Sequence, residues 1–348
     1  MSVSTIYDIA KAAHVSPATV SRVMSGTQRV SPALAKRVEQ AAQQLGYTPN
    51  RVARSLRRQD SSLLALIVSD IENPFFTSLV RGVDDLARGF GLSVVLFNTD
   101  EDLEQERHHL AVAAAERMAG VIISPIAERE SDISPLLRHG MPVVTIDRRL
   151  QTVSVDSVTV TNVQGADEAT THLLSEGYRR VACVIGPMYT TTHRDRWRGY
   201  RRALRRAKRS VDSELVVATG LKERGGYDAT QHLLDLADPP DAIFATNSLL
   251  AVGVLECLTE RGITAGPDLG LVCFDDMAWA RLLSPPLSAV AQPTYEVGKA
   301  AVTLLTKRAA APGRKAQTVV LETELNARAS SLRKSAADAS GPVVVGER

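Results

Sequence analysis

From Leu63 onward, short apolar runs alternate with segments of helical periodicity, and this alternation constrains the fold more than any other feature. A first series holds the strand-like runs LLALIVS, LSVVLFN, GVIIS and MPVVTID. A second series begins at SVTVT and continues through VACVIG, LVVA, DAIFAT and LGLVCFD. Strands that alternate with helices form parallel sheets covered on both faces. The pattern therefore predicts an α/β body of two doubly wound parallel-sheet subdomains.

Polar residues follow several of these strands at the point where each strand ends. Ligands of such sheets bind beyond the carboxyl ends of the strands, so the cleft between the two subdomains is the expected ligand site. Arginine, asparagine and aspartate beside a phenylalanine suit the vicinal hydroxyls of a carbohydrate better than a hydrocarbon. Purely structural roles stay open, since Asn73 before Pro74 also fits a helix cap and Asp275 also fits a strand end. The candidates by position are Asp70, Asn73, Phe75 or Phe76, Asp147, Arg148, the segment 190–196, Asn247 and Asp275.

The first sixty residues contain three short helical patterns and no strand-like run. Thr5 is placed to cap a first helix that ends by Ala13, and Ser16-Pro17 and Ser31-Pro32 are start signals for two more. His14 occupies the turn between the first two, where a left-handed backbone is often needed. Short helix, tight turn and short polar-faced helix is the helix-turn-helix arrangement. The third helix is predicted to pack through Leu34, Val38, Ala41, Ala42 and Leu45 and to end at Gly46.

Charge is divided unevenly at the Asp60-Ser61 junction. Residues 1–60 hold nine Lys and Arg against three Asp and Glu, whereas residues 61–348 hold 32 against 36. A basic module on a mildly acidic body indicates a polyanion partner for the N-terminal part alone. Arg22, on the hydroxyl-rich second helix, suits a bidentate contact with a guanine edge. A small helical subdomain without a ligand is the alternative, and the basic charge disfavours it.

The segment NRVARSLRRQD, from Asn50 to Asp60, has four arginines but only Val52, Ala53 and Leu56 as apolar residues. These are too few to hold a helix onto a core. Two interpretations stay open: a solvated linker, or a segment that folds on DNA with Leu56 as a wedge in the minor groove.

The motifs TIYDIAKAAHVSPATVSRVMSGTQRVS, GYTPNRVARSLR and DIENPFF resemble those of the lac repressor and galactose repressor family of bacterial transcription regulators. The resemblance, which extends to about Ser331, implies a helix-turn-helix domain over residues 1–48 and a hinge helix or linker over 49–61. It implies a two-lobed, periplasmic-binding-protein-like effector and dimerisation domain over 62–331 and a disordered tail over 332–348. The DNA-binding residues that it implies are Thr5, Ser16, Pro17, Ala18, Ser21, Arg22, Ser31, Asn50, Arg51, Arg54, Ser55 and Leu56.

The same resemblance implies an effector site in the cleft, with Arg196 and Asp275 as the most regular contacts. The chain departs from the family pattern at three positions. His14 stands in place of Gly or Asn, Leu221 in place of an aromatic residue, and Ser248 in place of an aspartate. The last two departures weaken a specific assignment to a hexose. The implied effector-binding residues are Asn73, Phe75, Arg148, Thr192, Arg196, Leu221, Asn247 and Asp275.

These observations predict an allosteric, ligand-responsive transcription regulator, most simply a repressor, that binds a palindromic operator as a homodimer. The effector is expected to be a small carbohydrate or a derivative of one. Neither a cofactor nor a metal site is expected, because the three cysteines, Cys183, Cys257 and Cys273, are scattered through apolar segments. The sign of the effector's action stays open.

Two other function classes fit the same fold less well. An enzyme is disfavoured because the sequence lacks GxGxxG after the first strand, GxxxxGK[ST], GxSxG and HExxH. A solute-binding protein of a transporter is disfavoured by the basic N-terminal module and by the lack of a signal-peptide pattern. The apolar runs are too short to cross a bilayer, and a cytoplasmic location is expected.

The segment RDRWRGYRRALRRAKR, from Arg194 to Arg209, holds nine basic residues and one acid. We expect a helix with a solvated basic face and with Arg196 alone turned into the cleft. A phosphorylated ligand and a second nucleic-acid contact are the open alternatives.

Overall fold

The structure is a computed structural model, and it describes residues 6–25, 30–45 and 61–333. The chain divides after Ser61 into two compact units.

The N-terminal unit contains α1 (Ile6–Ala12), α2 (Pro17–Ser25) and α3 (Pro32–Gln44). Its small core is aliphatic and joins all three helices, as the sequence predicts. The turn after α1 places His14 at φ 50°, in the left-handed region. The Ser16 hydroxyl accepts a 3.1 Å hydrogen bond from the Thr19 N–H, which caps α2 as expected. The buried core residues are Ile9, Ala10, Ala13, Val20, Val38, Ala41 and Ala42.

Two details of α3 differ from the sequence prediction. Ser31 precedes the helix, but its side chain makes no capping hydrogen bond, so Pro32 at the first helical position is the start signal that operates. Leu45 was predicted to be part of the apolar stripe and is exposed, because it follows the last helical residue and lies beyond the packed turns. Thr5 and Gly46, the other predicted boundary residues, lie outside the described ranges.

The larger unit has two lobes, each built on a six-stranded sheet. The chain first forms β1 (Leu63–Val68), α4 (Phe75–Gly89), β2 (Ser93–Asn98), α5 (Leu103–Ala115), β3 (Gly120–Ile123), α6 (Ser134–Arg138), β4 (Val143–Ile146) and β5 (Asp156–Val160). It then forms α7 (Asn162–Ser175), β6 (Val181–Ile185), α8 (Thr191–Arg206), β7 (Val216–Ala218), α9 (Glu223–Leu234), β8 (Ala242–Ala245), α10 (Ser248–Glu260), β9 (Gly270–Phe274) and β10 (Ser288–Ala291). The last elements are α11 (Thr294–Ala310), β11 (Thr318–Leu321) and β12 (Glu324–Asn326), and 3-10 turns occur at Ser213–Leu215, Ala280–Leu282 and Ala329–Ser331.

The strand order of each sheet confirms the doubly wound architecture. The first lobe has the order β11-β5-β4-β3-β1-β2 and is parallel throughout. The second has the order β12-β10-β9-β8-β6-β7, in which only the β10–β12 pair is antiparallel.

The assignment of SVTVT to the second subdomain is wrong. This run forms most of β5, which pairs with β4 in the first sheet, with Val144 opposite Asp156 and Ile146 opposite Val158. Every residue of β5 is buried, and a strand buried on both faces carries no pattern that tells which sheet it belongs to. The chain therefore changes lobe after β5, returns after β10 to form α11 and β11, and leaves again for β12.

Helices cover both sheets and give each lobe its own core. In the first lobe, α4 and α11 pack together over the sheet through Leu79, Val83, Val297 and Ala301. Their backbones approach so closely that a Cβ on Gly82 would lie 2.1 Å from the Tyr295 carbonyl oxygen. No helix within the described ranges is long and apolar enough to cross a membrane. The three cysteines are buried and unpaired.

Candidate functional site

A cavity lies between the two lobes, beyond the carboxyl ends of strands from both sheets. Its free volume of about 40 Å³ is enough for a few water molecules. All eight residues that the sequence predicted for effector binding line it, although their role in binding stays a prediction. The lining residues are Ser69, Asp70, Asn73, Phe75, Phe76, Glu101, Asp147, Arg148, Thr192, His193, Arg196, Leu221, Asn247, Leu249, Asp275 and Gln292.

Arg196 projects from α8 and is held by contacts within the second lobe. Its Nε donates to Asn162 Oδ1 at 2.8 Å, and its Nη1 donates to the Thr246 carbonyl at 2.6 Å. The guanidinium carbon lies 3.7 Å from the centroid of the Phe274 ring, a cation–π contact. Arg196 is buried, and these contacts fix its orientation at the cavity wall.

Arg148 lies on the opposite side of the cavity, in the first lobe. It forms a two-pronged ion pair with Glu101, with nitrogen-to-oxygen distances of 2.8 and 2.5 Å. Its Nη1 also contacts the carbonyl oxygens of Pro125 and Ile126, both at 3.4 Å. Most of the hydrogen bonds that Arg148 donates are therefore to groups of its own lobe.

Two aspartates face the cavity from positions just after a strand. Asp147 follows β4 with φ 61°, and Asp275 follows β9 with φ 78°. Burial raises the pKa of Asp147 to about 6, against the opposing effect of Arg148 and Arg196 and with a smaller upward contribution from Asp275. Burial likewise raises the pKa of Asp275, although Arg196 and a hydrogen bond from Gln292 lower it.

Asparagines 73 and 247 contribute to the cavity wall and also have structural roles. Asn73 Oδ1 accepts from the Phe75 N–H at 3.0 Å, so the capping role left open by the sequence is present. Asn247 Oδ1 accepts from the Leu250 N–H at 2.7 Å and caps α10, while its Nδ2 donates to the Leu221 carbonyl at 3.2 Å.

His193 lies in the candidate segment 190–196, but it is not among the effector contacts that the family resemblance implies. It is buried, and its Nδ1 has no hydrogen-bond partner among the described residues. Burial, and then the charges of Arg196 and Arg148, hold its pKa well below the ordinary value, so the ring is neutral at pH 7. A Cβ on Gly186 would lie 2.6 Å from His193 Nε2, so this glycine makes room for the imidazole. The signal in the sequence was its position three residues before Arg196 on the same helix.

Ion pairs join the lobes at the rim of the cavity. Lys222 of the second lobe lies 2.8 Å from Asp100, 3.5 Å from Glu72 and 4.0 Å from Asp70 of the first. On α8, Arg194 reaches the buried Glu128 of the first lobe at 2.5 Å. These ion pairs therefore join the two lobes, and the Lys222 pairs are exposed to solvent.

The basic segment of α8 is more engaged than predicted. Arg196 is the one arginine or lysine of the run that lines the cavity, as predicted, but Arg194 reaches the first lobe outside the cavity, where Glu128 is its partner. Arg202 and Arg206 both contact Asp167, at 2.8 and 2.9 Å, and Arg198 pairs with Asp195. Carboxylates of the same chain therefore neutralise much of the positive charge of this basic segment.

In the N-terminal unit, α2 presents the predicted DNA-reading residues. Arg22 and Ala18 are exposed, and Pro17 is half-buried at the start of the helix. Arg22 Nε donates to the Ala18 carbonyl at 3.3 Å, and the Ser16 and Thr19 hydroxyls are 2.9 Å apart. Ser31 is exposed before α3. The predicted contacts Thr5, Asn50, Arg51, Arg54, Ser55 and Leu56, and the side chain of Ser21, lie outside the described part of the chain.

The sequence matches two family models. The model for bacterial regulatory proteins of the lacI family matches residues 5–50, and a periplasmic binding protein-like domain matches residues 170–331. The chain is 34% identical over 298 residues to the HTH-type transcriptional regulator DegA of Bacillus subtilis (strain 168). The aligned region covers 85% of this chain and 88% of the relative. The chain belongs to the lacI family.

A second relative and two solved structures support this membership. The ribose operon repressor of Escherichia coli (strain K12) is 31% identical over 329 residues, or 94% of this chain and all of the relative. The lac repressor dimer bound to operator and the anti-inducer ONPF superposes with a TM-score of 0.85 at 25% identity, covering 95% of this chain and 100% of that one. The complex of the regulator CelR with cellobiose gives 0.72 at 30% identity, covering 94% and 99%.

Family membership confirms the predicted fold class and the predicted function as a DNA-binding regulator of transcription. It also confirms the prediction against an enzyme, because the relatives are transcription regulators.

Proposed function

We propose that this chain binds a palindromic operator as a homodimer and that a small polyhydroxylated effector in the interlobe cavity controls its affinity for DNA. The observation that carries the proposal is the convergence of Arg196 and Asp275 from the second lobe with Arg148 and Asn73 from the first on one cavity. A ligand held by both lobes changes the free energy of their closure, which is the requirement for control at a distance.

Rim contacts support the same proposal. Lys222 and Arg194 each join the lobes by charge, so an effector that alters the separation of the lobes must make or break these pairs. A relative is a ribose operon repressor and a structural neighbour holds cellobiose, which makes a carbohydrate-like effector the natural class to test.

For the DNA-binding part, we propose that Arg22 reads a base edge, with Pro17 and Ala18 beside it. The residues that help hold phosphates are Thr5, Ser16, Ser21 and Ser31. The stretch from Arg51 to Arg58 forms a hinge helix that inserts Leu56 into the minor groove. The proposed boundaries are 1–48 for the helix-turn-helix domain, 49–61 for the hinge, 62–331 for the effector and dimerisation domain and 332–348 for the tail. The proposed location is the cytoplasm.

The test uses the full chain and a duplex selected by it from a random-sequence pool. Fluorescence anisotropy gives the operator Kd with and without each member of a panel of pentoses, hexoses, aminated sugars, sugar phosphates and nucleosides. We expect at least one compound to change the operator Kd by about 5- to 150-fold. If the chain selects a palindrome but none of these compounds changes its operator Kd, the effector part of the proposal is contradicted.

A further inference from the structure

The cavity between the lobes carries more negative than positive charge. Four carboxyl groups line it, those of Asp70, Glu101, Asp147 and Asp275, against the two guanidinium groups of Arg148 and Arg196. His193 adds no charge at pH 7, because burial and the two arginines keep its imidazole neutral. The formal charge of the lining is therefore −2.

The cation at the rim does not remove this surplus. Lys222 lies 4.0 Å from Asp70, but it is shared with Asp100 and Glu72, which are closer. Adding the rim therefore brings one cation and two more carboxylates, and the excess of negative charge grows to −3. At such short separations in a poorly solvated site, the field of this excess is weakly screened.

The two arginines are also poorly available to an anion. Arg148 is taken up by Glu101 and by two carbonyl oxygens. Arg196 donates to Asn162 and to the Thr246 carbonyl and stacks on Phe274. A phosphate or carboxylate in the cavity would find only the remaining N–H groups of these two arginines, and it would approach four carboxyl groups.

Of the four carboxyl groups, Glu101 is paired with Arg148, whereas Asp147 and Asp275 form no close ion pair among the described residues. Among the described residues, the closest cation to Asp147 is Arg148 Nε at 3.6 Å, and no hydrogen bond reaches the Asp147 carboxylate. Asp275 accepts hydrogen bonds from the Gln292 side chain and the Ser248 N–H, but among the described residues it forms no ion pair, not even with Arg196. Asp147 and Asp275 belong to different lobes, so their mutual repulsion opposes closure.

A metal ion does not account for this surplus. No group of three or more His, Cys, Asp or Glu side chains within residues 6–25, 30–45 and 61–333 is arranged to hold one. An organic cation that also offers hydroxyl groups fits the mixed lining, since hydroxyls suit the free faces of Asn73, Gln292 and His193.

We infer that the effector of this cleft carries a protonated amine in addition to its hydroxyl groups, and that the amine lies between Asp147 and Asp275. This inference rests on the proposed function and specifies its ligand. A cation between the two aspartates replaces their repulsion by two attractions, one to each lobe, and so favours closure. The basic run on α8 is then a surface feature rather than a phosphate site.

The experiment compares series of related probes that are cationic, neutral or anionic. One series is D-glucosamine, N-acetyl-D-glucosamine, D-glucose and D-glucose 6-phosphate, and a second is its galactose counterpart. A third series holds the smallest probes: ethanolamine, ethylene glycol and glycolate. Calorimetry and melting temperature are measured at pH 7.5 on the full chain, on Asp147→Asn and on Glu116→Gln, which removes an exposed surface carboxylate.

We expect the amine of a series to bind about tenfold or more tightly than its neutral members and the anionic member not to bind. Asp147→Asn should remove most of this preference, while Glu116→Gln should keep it. Neutral or anionic members that bind as tightly as the amine overturn the inference and leave the effector site standing. A preference for amines that survives in Asp147→Asn overturns the assigned position. If the proposed function itself is wrong, no member of any charge changes the melting temperature or the operator Kd, and the inference falls with it.

Discussion

Asp147 and Asp275 occupy equivalent positions in the two lobes. Each follows the last residue of a buried parallel strand, β4 or β9, and each has a positive φ, 61° and 78°. The Asp147 N–H donates to the Val158 carbonyl at 3.0 Å, and the Asp275 N–H donates to the Val290 carbonyl at 2.9 Å. The same local structure thus turns one carboxylate from each lobe toward the shared cavity, in a backbone conformation that is unfavourable for most residues.

Stability should depend on the protonation of Asp147. Burial and the charges of Asp275 and Glu101 raise its pKa to about 6 from 3.8, while Arg148 and Arg196 limit the rise. Because the folded-state pKa is the higher one, this group's stabilising contribution is complete below pH 3.8 and is lost as the pH rises through about 6. At pH 7.5, Asp147→Asn should therefore raise the free energy of unfolding by up to about 3 kcal/mol.

Urea titrations at pH 7.5 and pH 4 check this prediction. Asparagine tolerates the left-handed backbone, so the substitution adds little strain of its own. The advantage of the variant should shrink toward zero at pH 4, where the wild-type carboxyl is largely protonated. A variant no more stable than the wild type at pH 7.5 would show that Asp147 is already well stabilised as an anion.

Substitution of Gly82 tests the close packing of α4 on α11. A Cβ at this position would lie 2.1 Å from the Tyr295 carbonyl oxygen, a backbone atom that can move only with its helix. Gly82→Ala should lower the free energy of unfolding by about 1–3 kcal/mol or more. Gly89→Ala, on the same helix with open space around the new methyl, should be neutral or stabilising. Equal denaturation midpoints for the two variants would contradict this packing.

Lys222 should matter for closure more than an ordinary surface lysine does. It pairs with Asp100 across the lobes, whereas Lys299 pairs with Glu296 within one helix. Because Lys222 is about half exposed, its pairs are worth about 0.2–1 kcal/mol, and Lys222→Met should change the effector Kd by about two- to fivefold. Lys299→Met is the control, and the effector Kd of both variants is measured by calorimetry. The same small change in both would show that the rim ion pairs do not control closure of the lobes.

Arg22 should control which DNA sequence is read without affecting the effector. Its side chain is exposed on α2, in a compact unit separate from the one that holds the cavity. Arg22→Ala should lower operator affinity by about 1–3 kcal/mol and relax specificity at one base position. Lys36 is an exposed cation of α3 that can contribute only charge, so Lys36→Ala should weaken all sequences alike. A selection experiment on both variants measures this. An unchanged sequence preference for Arg22→Ala would exclude its reading role.

Local signals predicted the N-terminal helices better than they predicted the lobe connections. The Ser16 cap and the left-handed His14 depend on neighbouring residues alone, so the sequence could specify them. The lobe to which β5 belongs depends on which buried strand it pairs with, and several strands carry the same apolar pattern. Distance along the chain gives no information about such pairing.

For the site, the position of a residue after its strand was an accurate guide. It correctly predicted that Arg148, Asn247 and Asp275 line one cavity, because parallel strands end at a common edge. The candidate segment 190–196 included His193 but did not single it out, since a histidine in a basic helix gives no sign of the space that Gly186 leaves for it. The partners of Arg194 and Arg202 likewise come from distant segments and could be found only in the folded chain.

The most direct test of the central claim is the operator Kd of Arg196→Ala, measured with and without the effector found by the probe panel. Arg205→Ala is the matched control, since Arg205 lies on the exposed side of α8. We predict that Arg196→Ala binds the operator as the wild type does in the absence of effector but no longer responds to it, while Arg205→Ala responds normally. A full effector response in Arg196→Ala would contradict the assignment of the cavity as the site of control.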